Sequence, residues 1–84
     1  MTKKKILVVD DEEDIQELIK YNLNKVCFQV ICANSGELGL QATRENYPDL
    51  LVLDLMLPEM SGLDVCRQLK SDLKTLHIPI IMLT

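Results

Sequence analysis

Hydrophobic positions along the chain fall into two rhythms that take turns. Ile6 to Val9 (ILVV) is a short unbroken apolar run that stops at Asp10-Asp11. Such runs predict strands buried on both faces, as in a parallel sheet covered by helices. The next apolar residues, Ile15, Leu18, Ile19, Leu23 and Val26, recur at spacings of three and four. That spacing predicts a helix over roughly Glu12 to Lys25 with this stripe buried. Glu12, Glu13 and Asp14 suit its first turn, where they face the positive end of the helix dipole. Phe28, Val30 and Cys32 then alternate with Gln29 and Ile31, a weaker, half-covered strand expected at a sheet edge. Asn34-Ser35-Gly36 is turn chemistry, with Ser35 as N-cap of a second helix. That helix should present Leu38, Ala42 and Glu45 on one side and be less regular than the first, because Gly36 and Gly39 weaken it.

Tyr47-Pro48-Asp49 ends the second helix, since the residue before proline avoids helical dihedrals. Leu50 to Asp54 (LLVLD) is the most apolar strand, and it ends in one acid. Leu57-Pro58, Ser61 and Gly62 make the turn that follows, and Ser61 with Asp64 forms a near capping box. Val65, Cys66, Leu69 and Leu73 give a third helical stripe, Thr75-Leu76-His77 a connection, and Ile78 to Thr84 (IPIIMLT) a fourth strand with Pro79 near its start. The order βαβαβαβ predicts an α/β fold, a parallel sheet with right-handed crossovers and helices on both faces. No linker or repeat interrupts it, so residues 1–84 are read as one domain.

Composition narrows the function. With 84 residues and 48% hydrophobic content the chain can build one modest core. Only 4% is aromatic and there is no tryptophan, which disfavours an aromatic binding platform. The net charge of −4 argues against nucleic-acid binding by this domain, and Lys3-Lys4-Lys5 reads as a solvated terminus. No apolar run is long enough to cross a bilayer, and no signal peptide is evident. Three cysteines, Cys27, Cys32 and Cys66, without CxxC spacing suit a reduced, cytoplasmic protein. His77 is the only histidine and lies far along the chain from other ligands, which disfavours zinc.

The chemistry lies in the acids. Asp10 and Asp11 follow the first strand, and Asp54 ends the third. In a parallel sheet these strands are expected to be neighbours, which brings the three carboxylates to the rim where open α/β sheets bind ligands. Like charges at close range call for a cation. Oxygen-only ligands with room for water suit Mg²⁺. For Glu12, Glu13 and Asp14 plain solvation is explanation enough; for Asp10, Asp11 and Asp54 together the metal explains more.

ILVVDDE at the start, DLMLPEMSG in the middle and PIIMLT at the end resemble the receiver domain of two-component response regulators, most of all those carrying a winged-helix DNA-binding domain. The resemblance runs through the whole chain in order. It implies a flavodoxin-like three-layer sheet of strand order 2-1-3-4. It further implies that Asp54 is the phosphoacceptor, taking a phosphoryl group from a sensor histidine kinase to regulate an output such as transcription. Asp11 then matches the direct Mg²⁺ ligand and Asp10 the acid that helps through water, with Asp54 at the same ion. Met56 offers its backbone carbonyl to the metal, Thr84 is the switch hydroxyl, and Pro58 and Gly62 shape the loop after the acceptor.

Compared with that family the chain is expected to be truncated after the fourth strand. It lacks the last helix-strand-helix, the lysine that pairs with the phosphoryl group and the aromatic partner of the switch threonine. The fourth strand, Ile78–Thr84, then becomes an uncharged edge, and homo-oligomerisation through it is expected. The alternative function is accordingly a self-associating half-domain that is not efficiently phosphorylated. A haloacid-dehalogenase-type hydrolase also pairs an Asp nucleophile with Mg²⁺, but it needs a DxD pattern where this chain has Asp10-Asp11.

Overall fold

The computed structural model describes residues 3–83. Seven elements alternate along them: β1 (Lys5–Val9), α1 (Glu13–Asn24), β2 (Gln29–Ala33), α2 (Gly36–Asn46), β3 (Leu50–Asp54), α3 (Gly62–Lys70) and β4 (Ile80–Leu83). The strands form one sheet of order β2-β1-β3-β4, and every pairing is parallel. The alternation predicted the parallel sheet, and the strand order is the flavodoxin-like one that the receiver resemblance implies, with β2 at an edge.

Strand pleating sorts the core into two layers. Leu7 and Val9 of β1 and Leu51 and Leu53 of β3 meet Leu40 of α2 and Val65 and Leu69 of α3 on one face. Ile6, Val8 and Val52 point to the other, where Ile19 and Leu23 of α1, Phe28 and Val30 pack against them. Between Lys5 at the start of β1 and Asp54 at the end of β3, residues 6–9 and residues 50–53 are therefore apolar throughout.

The helices depart from expectation in which residues they bury. On α2 the buried positions are Gly36, Gly39, Leu40 and Thr43, whereas Leu38 is exposed, Glu45 is exposed and Ala42 only half-buried. Leu38, Ala42 and Glu45 do share one side of α2 and line a common hollow, but the glycines make the contact with the sheet: a Cβ on Gly39 would lie 2.8 Å from Val9 Cγ2. The helix approaches the sheet on its smallest residues, and it runs a regular 11 residues. On α1 nothing is fully buried; Ile15, Ile19 and Leu23 are half-buried, and Leu18 and Val26 are exposed. A single helix on that face leaves the outer flanks of its own stripe in solvent. The third stripe ends at Leu69, because α3 stops at Lys70 and Leu73 is 88% exposed in the following turn.

The fourth strand starts two residues later than expected. Ile78 is buried but precedes the ladder, and Pro79 sits just outside it, giving its carbonyl to the Leu51 N–H at 3.0 Å. Lys70 holds this entry: its Nζ donates to the carbonyls of Leu76 (3.0 Å) and Ile78 (2.8 Å). Buried Thr75 donates its hydroxyl to Leu69 O at 2.7 Å, so the α3–β4 connection is tied to the end of α3. Met60, Cys66 and Met82 pack against the core and are partly buried.

Candidate metal centre

The parallel register delivers the acids. Val9 aligns with Leu53 across the β1–β3 pair, so the next residues on each strand, Asp10 and Asp54, leave the sheet side by side. Asp10, Asp11 and Asp54 each offer a carboxylate oxygen, and these atoms all lie within 4.8 Å of one another. The span across an octahedral Mg²⁺ is about 4 Å, twice its bond length to oxygen. The donor set therefore suits a small hard cation that fills its remaining positions with water.

The three acids differ in exposure. Asp10 is buried, Asp54 half-buried and Asp11 exposed. Asp10 is fastened at three points. Its N–H donates to Ala33 O (3.0 Å), its Oδ1 accepts from Glu12 N–H (2.9 Å), and its carbonyl accepts from Gln16 Nε2. Asp54 Oδ1 accepts from the N–H of Met56 at 2.9 Å, which fixes that carboxylate and leaves Oδ2 without a donor among the described residues. Oriented oxygens of this kind cost little to organise around an ion.

The loop after β3 is shaped by what its backbone must avoid. A Cβ on Gly62 would sit 2.3 Å from the carbonyl oxygen of Asp54 and 2.9 Å from Leu55 Cα. Only glycine allows this approach, and Gly62 N–H closes the loop on Leu55 O at 3.1 Å. Leu57 is buried beneath it while Pro58 is exposed, and Glu59 takes a left-handed conformation at φ 64°. Ser61 caps α3 as expected, accepting from the N–H of Asp64. The Met56 side chain is 76% exposed.

Asp10, Asp11, Glu12, Ile15, Asp54, Met56, Met82 and Leu83 line an open hollow of about 620 Å³. No lysine or arginine is among them. Both ion pairs among the described residues, Arg44–Asp72 and Arg67–Asp64, lie elsewhere, so no described cation neutralises the cluster. Leu55 N–H donates to Leu83 O, so β4 runs alongside the loop right up to the rim. Thr84, the expected switch hydroxyl, lies outside the described residues. A second hollow, behind α1, is lined in part by Gln16, Cys32 and Leu38. Cys32 is an exposed residue, but partial desolvation pushes its thiol up, with Lys20 pulling the other way and Glu17 adding to the rise.

Of the residues singled out in the sequence, the structure brings Asp10, Asp11 and Asp54 together, places Ser61 at the N-cap of α3 and Gly62 against the Asp54 carbonyl, and leaves Pro58 exposed in the loop. Sequence reasoning missed Gln16, whose position on a helical stripe carries no sign that its amide turns back to the strand ends.

Comparison with known proteins agrees with this geometry. The family model for the response regulator receiver domain matches residues 6–84. The chain is 51% identical over 81 residues to the alkaline phosphatase synthesis transcriptional regulatory protein PhoP of Bacillus subtilis, covering 96% of this chain and 33% of that protein. It is 45% identical over 82 residues to the probable transcriptional regulator ycf27 of Pyropia yezoensis, covering 98% of this chain and 32% of that one. The N-terminal domain of a response regulator receiver protein from Methanoculleus marisnigri JR1 superposes with a TM-score of 0.95 at 37% identity, over 99% of this chain and 68% of that one. The chain thus spans about a third of the length of the curated relatives it matches.

Proposed function

The chain belongs to the response regulator receiver domain family, and from that membership we propose that it takes a phosphoryl group onto Asp54 with Mg²⁺ as cofactor. The convergence of Asp10, Asp11 and Asp54 within 4.8 Å, with no described cation among them, carries the proposal. Asp11 and Asp10 hold the ion together with Asp54, and the Met56 carbonyl completes the protein's share. When bound, Mg²⁺ supplies charge neutralisation for the incoming phosphoryl oxygens.

The remaining work belongs to the chain's own residues. Met56 N–H anchors Asp54 through Oδ1, leaving the other carboxylate oxygen to attack phosphorus in line. A new O–P bond forms as the P–N bond of a phosphohistidine donor breaks, and the departing imidazole nitrogen takes up a proton. Little covalent help is available in such a transfer, so positioning dominates. The donor is a sensor histidine kinase. The aspartyl phosphate adds negative charge at the rim, which Thr84 meets as the switch, and the changed surface is passed to an output such as transcription. The two relatives described as transcriptional regulators favour that output. Free thiols at Cys27, Cys32 and Cys66 accord with a cytoplasmic place.

Acetyl phosphate with Mg²⁺ should label the chain with hydroxylamine-labile phosphate, and Asp54→Asn should take up none. Equal labelling of both proteins, or of neither, overturns the acceptor assignment. Mg²⁺ binds only the folded state, so it should raise Tm in the unmodified chain and much less in Asp11→Ala. An equal rise in both removes Asp11 from the ligand set.

A second reading rests on one observation. Ile81 of β4 is 50% exposed, and among the described residues β4 pairs with β3 alone. Self-association through the outer edge of β4 follows as a proposal, with phosphorylation inefficient in that state.

A further inference from the structure

We propose that Gln16 is a positioning residue for the acidic site: its amide straps α1 to the ends of β1 and β2 and so holds Asp10 and Asp11 where an ion can use both. The inference rests on the Mg²⁺ reading given above and adds to it a residue outside the ligand set.

Gln16 lies one turn into α1, with its own N–H bonded to Glu12 O at 3.2 Å. Helical side chains lean toward the N-terminus, which aims this one at the strand ends. Its Nε2 donates to the carbonyl of Asp10 and to the carbonyl of Ala33, the latter at 3.1 Å. Ala33 O also accepts from the N–H of Asp10. Four groups from three elements therefore close on one another. The amide's two donors meet two carbonyl acceptors, so its orientation is settled: the reverse placing would set Oε1 against two oxygens. Gln16 is half-buried and has no other partner among the described residues.

Support is needed at this place. With the ion absent, Asp10, Asp11 and Asp54 repel one another across less than 5 Å. Asp11 and Glu12 are exposed, and the hydrogen bonds of Glu12, from its N–H to Asp10 Oδ1 and from Gln16 N–H to its carbonyl, stay within the β1–α1 turn and α1 and do not tie the turn to the sheet. The Gln16 strap opposes an outward swing of the turn by gripping the carbonyl that begins it. Ordering the turn in advance lowers the cost of binding the ion.

Gln16→Leu keeps the bulk and removes both donors. In the metal-free chain, amide hydrogen exchange at Asp10 and Glu12 should accelerate at least several-fold, while Leu7 and Val52 in the central strands keep their protection. Mg²⁺ titration followed by amide shifts of Asp11 and Met56 should show affinity weakened about tenfold, the low end for residues that orient metal ligands from outside. Substituting the exposed neighbour, Glu17→Gln, should leave the exchange at Asp10 and Glu12 unchanged. Unchanged exchange at Asp10 and Glu12 in Gln16→Leu overturns the strap. So does faster exchange with Mg²⁺ affinity intact, which would leave Gln16 a merely structural residue. If the unmodified chain shows no Mg²⁺ shifts at all, the metal reading fails instead. The exchange measurement then still decides whether Gln16 holds the turn.

Discussion

At the scale of single residues, the backbone carries strain that local chemistry can relieve. Helix α1 ends with Phe28 N–H bonded to Leu23 O and Cys27 N–H to Asn24 O, both at 3.3 Å, and with Cys27 left-handed at φ 66°. This is a Schellman closure, and Phe28 and Leu23 pack against the same cluster of Ile6, Val8 and Val52. Glycine is the residue suited to the left-handed position; a residue with a Cβ costs about 1–2 kcal/mol there. The greater freedom of glycine in the unfolded chain returns part of that. Cys27→Gly should therefore stabilise the fold by about 0.5–1 kcal/mol, a Tm rise of roughly 3–6 °C for a chain of this size. Thermal unfolding followed by circular dichroism checks it, and an unchanged or lower Tm would show that the Cys27 side chain makes a compensating contact. The same logic hides the helix end from sequence inspection, because no glycine or asparagine marks it.

At the scale of elements, two close approaches set where the helices sit, and both are made by glycine. Gly39→Ala gains up to about 1 kcal/mol of helix propensity but drives a methyl to 2.8 Å from Val9 Cγ2. Overpacking of this kind costs about 1–3 kcal/mol. The substitution should thus destabilise in chemical denaturation, and Val9→Ala should restore part of the loss in a double-mutant cycle. A stabilised Gly39→Ala would mean that propensity outweighs packing and that α2 can slide. Gly62→Ala should cost more, since its neighbour is the rigid carbonyl of Asp54 and not a side chain. Sequence patterning located all seven elements, their order and the β3 limits, because the apolar runs and the Ser35 and Ser61 caps are local signals. It did not reveal the buried face of α2, since a hydrophobic count treats glycine as an absence when here it is the contact surface. The burial of α1 and the end of α3 were likewise not legible. They depend on how much covers each face, and no local spacing encodes that. Among site residues the acids were legible because each ends an apolar run, whereas Gln16 acts through a contact between residues 17 positions apart.

At the scale of the whole molecule, the two edges of the sheet are unequal. The β2 edge has alternating, partly polar character, with Gln29 and Cys32 exposed. The strand at the other edge, Ile80 to Leu83, bears no charge, and Ile81 holds half its surface in solvent on the face that α1 covers only in part. An uncharged strand edge with free backbone groups favours pairing with a second copy. The net charge of −4 works the other way, since two copies repel. Salt screens that repulsion over about 10 Å at 0.1 M and leaves the apolar contact intact. The proposed self-association through β4 should therefore strengthen as salt rises, the reverse of an interface held by ion pairs. Ile81→Lys places a charge on the exposed face of the edge strand at a position that the core does not require. Sedimentation equilibrium should show the unmodified chain shifting to a larger species as concentration and salt increase, and Ile81→Lys remaining monomeric. If both stay monomeric at millimolar concentration and high salt, the β4 edge is not an association surface. If both associate alike, the contact lies on another face of the molecule.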